Sequence, residues 1–135
     1  MSQTENTIYT TNIPNPFDYI KNEEDVQNVV KTIMQKNTNN FSSKDPFWEK
    51  TEQALLSAIF LYVFYEYNEK DKNLLNVKKL LHSRTVSNLE NMFDNLEEDN
   101  PKHPAVKLYK IFALSGYKTR QTILAQCKNN SFLQI

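Results

Sequence analysis

"DPFWEKTEQALLSAIFLYVFYEY" (residues 45–67) becomes almost entirely apolar in its middle, from Ala54 to Tyr65. A membrane-spanning helix needs about 20 apolar residues, whereas a run of about 10 to 14 suits a buried core helix. The run is short, and Glu49, Lys50 and Glu52 precede it while Glu66, Glu69 and Lys70 follow it. Charges that close do not suit a hydrocarbon slab, so the stretch is expected to be a helix of a globular core. Asp45 as N-cap, Pro46 in the first helical position and Glu49 in the first turn are start signals in the right order. Phe47, Trp48, Leu55, Ala58, Ile59, Tyr62, Phe64 and Tyr65 wrap most of the way round such a helix. That pattern predicts a central helix surrounded by others, with Trp48, near its start, partly exposed at an interface.

The rest of the chain reads as shorter helices that could do the surrounding. Asn22, Glu23, Glu24 and Asp25 open a helix over 23–36 whose stripe is Val26, Val29, Val30, Ile33 and Met34. "NTNNFSSK" is a polar loop. Further helical spacing occurs over 74–81, 86–97, 104–114 and 118–126, with Gly116 read as the end of the fourth of these stretches' predecessor at 104–114. Nothing alternates like a strand. The fold class expected is therefore all-α, a compact bundle of about six helices around the central one at about 45–67.

Composition agrees with a folded domain. The 135 residues are 39% hydrophobic, 12% aromatic and 24% charged, far from the composition of disorder. A single glycine leaves little from which to build a phosphate-cradling loop. Cys127 is the only cysteine, so neither an internal disulfide nor a cysteine-based zinc site is expected; a small buried hydrophobe near a helix end is. The first 16 residues are polar, without the apolar segment of a signal peptide, which predicts a cytosolic location.

Catalytic chemistry finds few candidates. His82 and His103 lack a metal-binding pattern and are read as surface histidines. Glu97, Glu98 and Asp99 read as a solvated helix end, and Ser57, Ser83 and Ser115 have no base at a recognisable spacing. No catalytic residue and no metal site is expected, and the domain by itself is not expected to be an enzyme.

The charge distribution is more informative. Net charge is zero, yet Lys102, Lys107, Lys110, Lys118, Arg120 and Lys128 lie beyond residue 101 with no acidic residue among them, leaving 10 basic and 16 acidic residues before. Lys107 and Lys110 are spaced to share a helical face, with Tyr109 and Tyr117 nearby. These six residues are candidates for contacting DNA phosphates or a partner, without reading bases.

"NPFDYI" followed by "EEDVQNVVKTIM", then "DPFWEKTEQALLSAIFLYVFYE", then "EEDNPKHPAVKLYKIFALSGYKTRQTILAQC" resembles the all-alpha domain of type IV secretion coupling proteins, the TraG/TraD-like conjugation ATPases, most closely those of Gram-positive mobile elements. The likeness spans residues 15–127. In that family the domain is inserted into a RecA-like motor, between the phosphate-binding loop and the acidic motif that holds the hydrolytic metal. Neither motif occurs here, so the resemblance implies a module with no cofactor of its own, ATP and Mg belonging to the parent ATPase.

It also implies a membrane-associated hexameric parent whose module faces the cytoplasm and docks the relaxase, relaxosome accessory proteins and DNA. The isolated module is expected to be a monomer. Residues 1–20 are then an extended lead-in from the missing motor domain, 21–128 the all-alpha domain, and 129–135 a return stub. Substrate recognition for conjugation is the leading expectation. The alternatives are a nonspecific nucleic-acid-binding helical module and a free-standing helical adaptor.

Overall fold

The computed structural model describes residues 15–38 and 46–134. Six α-helices follow one another: α1 (Glu23–Gln35), α2 (Pro46–Glu66), α3 (Leu74–His82), α4 (Val86–Asp99), α5 (Pro104–Ala113) and α6 (Tyr117–Lys128). Short 3-10 turns at Pro16–Tyr19 and Glu69–Asp71 complete the order, and there is no strand among the described residues.

Local chemistry sets the helix starts. Asn22 accepts from the Asp25 amide, and Asn73 from the Asn76 amide, each at 2.9 Å. Thr85 and Asn88 form a reciprocal capping box at the start of α4. These side chains satisfy amides that a helix leaves without internal partners. Asp45 and the loop through residues 39–44 lie outside the described residues, so the expected cap of α2 does too.

α2 is the hub. Thr51, Glu52, every residue from Ala54 to Leu61, and Val63 are buried. α5 packs along it most extensively, and α1, α6 and α3 take the other sides. α4 lies against α5 and α6 and reaches the hub through Phe93, whose ring stacks on Tyr109 at 4.3 Å and meets Tyr62 edge-on at 5.8 Å. The aromatic residues of α2 divide by position: Phe60 is fully buried, whereas Phe47 near the start and Tyr65 near the end are about half exposed.

Four local expectations change. The lead-in is not extended up to residue 20: capped by Asn15, Pro16–Tyr19 turns as a 3-10 helix and drives Phe17 into the core, where it stacks on Phe60 at 5.5 Å. The segment after α6, expected as a return stub outside the domain, packs into it: Asn130 and Leu133 are fully buried and Ser131 is clasped to Asn37 and Thr38. Gly116 opens α6 as its N-cap, and α5 instead ends at Ala113 with Leu114 as its C-cap.

The fourth concerns the histidines. His103 is buried, not a surface residue. Its Nδ1 accepts from the Ala105 amide at 3.0 Å, capping α5, so its proton resides on Nε2, 3.0 Å from Glu66 Oε2. His82 is half-buried, with Nε2 2.7 Å from the Leu133 carbonyl. No helix among the described residues is long and apolar enough to cross a membrane.

Candidate partner-docking surface

The six basic residues fall into two groups. Lys128 Nζ donates to the Arg84 carbonyl at 2.8 Å and thereby ties α6 to the α3–α4 link. Arg120 Nε donates to the Ser115 carbonyl at 3.0 Å, its Nη1 stands 3.5 Å from Glu90 Oε1, and its side chain is only 15% exposed. Lys110 on α5 pairs with Glu97 on α4. These three are occupied within the fold. Lys102, Lys107 and Lys118 are exposed and have no ion pair among the described residues.

Phosphate binding is strongest where several cations act together along one path. Half of the expected set is neutralised or turned to backbone, so the basic segment is sparser than its sequence suggests. Lys107 stands with Ile111 and Leu114 at helical spacing along α5, and those two apolar residues are 45% and 87% exposed. A cation beside exposed apolar groups suits a protein contact better than a purely phosphate one.

Two hollows follow the seam between α1 and α2. The first, of about 330 Å³, is lined by Lys31, Met34, Gln35 and Asn37 from the α1 side and by Trp48, Glu49, Glu52 and Gln53 of α2. The second, of about 410 Å³, shares Lys31 and Gln53 and adds Gln27, Lys50, Ala54, Ser57, Leu108 and Ile111. The two form adjoining parts of one surface. Trp48 is half-buried, packed against the core and presented to the first hollow, in keeping with the partial exposure expected of it.

Glu52 is the unusual residue of this surface. It is 9% exposed, and its carboxylate makes no hydrogen bond or ion pair among the described residues. Burial, and then the charge of Glu49, pushes its pKa up to about 7. The buried Cys127 thiol is pushed up as well, by burial first and by Glu52 second. In the second hollow, Ser57 Oγ is buried without a hydrogen-bond partner. Buried polar groups ordinarily have partners, which makes the Ser57 hydroxyl, and beside it an unpaired carboxylate at the edge of a hollow, chemically notable.

Sequence reasoning passed over both residues. In sequence Glu52 reads as one of the charges that precede the apolar run. Nothing local marks Ser57. No group of three or more His, Cys, Asp or Glu side chains among the described residues could hold a metal ion.

The family model described as type IV secretory system conjugative DNA transfer matches residues 7–129 of the chain. No curated protein and no solved structure matches it.

Proposed function

The chain belongs to the type IV secretory system conjugative DNA transfer family, and from that premise we propose that it is a substrate-receptor domain which docks a relaxase or a relaxosome accessory protein through its helix grooves. DNA contact is secondary and weak. The parent protein is a membrane-associated hexameric ATPase that supplies ATP and Mg chemistry, and this domain works at the cytoplasmic side without catalysing a reaction. The isolated domain is a monomer.

The observation that carries this reading is the contrast between the two surfaces. The α1–α2 seam presents an indole, the half-exposed Ile111, the carboxylate of Glu52, unpaired among the described residues, and the buried Ser57 hydroxyl without a hydrogen-bond partner there. The basic segment, by comparison, has three of its six cations engaged internally. Binding through apolar anchors varies mildly with salt, whereas phosphate-dominated binding weakens steeply.

The test measures binding of the domain at low and near-physiological salt to a labelled single strand, and separately to the relaxase and accessory proteins of the same mobile element. Salt-resistant binding to one of the proteins is expected. Binding to DNA alone, lost as salt rises, would replace the receptor reading with the nucleic-acid-binding alternative.

A further inference from the structure

We propose that the hollow between α1 and α2 is a receptor for one arginine side chain of a partner polypeptide, the guanidinium lying against Trp48 and pairing with Glu52. The proposal rests on the receptor reading and specifies what the seam recognises. Its basis is the unmet chemistry of the hollow, together with the hollow's size of about 330 Å³, ample for a single long side chain.

Glu52 is nine-tenths buried, borders the hollow and has no hydrogen-bond donor or cation as partner among the described residues. A buried carboxylate is stabilised chiefly by a charged donor. Trp48 supplies an aromatic face, the surface on which a planar guanidinium stacks best. Glu49 adds a second carboxylate at the rim. Among the described residues Lys31 is the one cation lining this hollow; it is exposed and without an ion pair there, so two described carboxylates face one ammonium and that balance favours an incoming cation.

The same balance disfavours nucleic acid, whose phosphates would meet both carboxylates. Arginine is favoured over lysine because its fork can bind a carboxylate with two hydrogen bonds while its plane covers the indole. The adjoining hollow, floored by Ala54, Leu108 and Ile111, then receives an apolar side chain close to the arginine in sequence.

Proton linkage supports the same geometry. Among the described residues the groups facing Glu52 are Glu49 on its own helix, Lys31 from α1 and the Cys127 thiol from α6. With the Glu52 pKa near 7, a guanidinium must bind the ionised form and so expels a proton. Affinity should rise with pH through about 7 and then level off.

The probe is the capped peptide acetyl-Leu-Ser-Arg-Ser-Leu-amide, in which leucines flank the arginine symmetrically, compared with the same peptide carrying uncharged citrulline. Trp48 is the only tryptophan, so its fluorescence reports on the hollow itself. A saturable emission change with the arginine peptide is expected, at least tenfold weaker with citrulline or with Glu52→Gln, and stronger at pH 8 than at pH 6. An absent response, or equal binding of the citrulline peptide and equal binding by a folded Glu52→Gln variant, would overturn the arginine receptor. Relaxase or accessory-protein binding that persists undiminished in Glu52→Gln would leave the receptor reading standing without it.

Discussion

At pH 8 Glu52 must hold a charge on a side chain that is nine-tenths buried at the edge of the hollow. Its pKa is about 7 in the folded chain and 4.5 as an ordinary glutamate, so the folded state keeps a proton that the unfolded state has released between those values. Stability therefore falls as pH rises from about 4.5 to about 7 and levels above that, by on the order of 3 kcal/mol from this residue. Glu52→Gln removes the ionisable group at nearly constant volume. Thermal or denaturant unfolding should show the variant more stable than wild type at pH 8 and nearly equal to it at pH 4.5. A difference that did not change with pH would show that Glu52 is well solvated after all. The burial was not legible in the sequence because the residues that enclose Glu52 come from α1 and α6, far along the chain.

At the scale of the helices, the starts of α1, α3 and α5 are set by local chemistry. α1, α3 and α5 start where their caps or prolines stand, at Asn22, Asn73 and Pro104, because a cap acts within one turn. α2 was recognisable as central since no other stretch is apolar around its whole circumference. The short segments outside regular helices were harder. Nothing in "NPFDYI" says that Phe17 will find Phe60, and nothing near residue 133 announces a fully buried leucine. Such contacts join residues far apart in sequence and leave no periodic trace. The role of Leu55, fully buried on α2, follows directly: Leu55→Ala should cost about 2 to 5 kcal/mol in denaturant unfolding. An unmoved midpoint would remove α2 from the centre of the core.

For the whole molecule, charge read along the sequence differs from charge arranged in space. Six basic residues follow one another without an acid between them, yet Lys110 and Arg120 meet Glu97 and Glu90 of α4, and Lys128 meets a carbonyl. The candidate list was thus complete as a list of cations but not as a surface, because α4 folds its acids onto α5 and α6. Reversing the three cations that remain available, as Lys102→Glu, Lys107→Glu and Lys118→Glu together, should abolish retention on single-stranded DNA at low salt while leaving the thermal midpoint within a few degrees. Unchanged retention would separate DNA contact from the basic segment altogether.

The enclosure of α2 also makes it a gauge. Its amides between Leu55 and Val63 lie under helices on all sides, so deuterium can replace their protons only when the domain opens as a whole. Those amides should be the slowest to exchange, with a common free energy, while amides on the exposed side of α1 exchange by smaller openings. Any partner that binds only the folded domain, wherever it binds, should slow α2 exchange by the factor one plus its concentration over its Kd. The interior of the hub can therefore report an affinity at the surface that none of its own atoms touches.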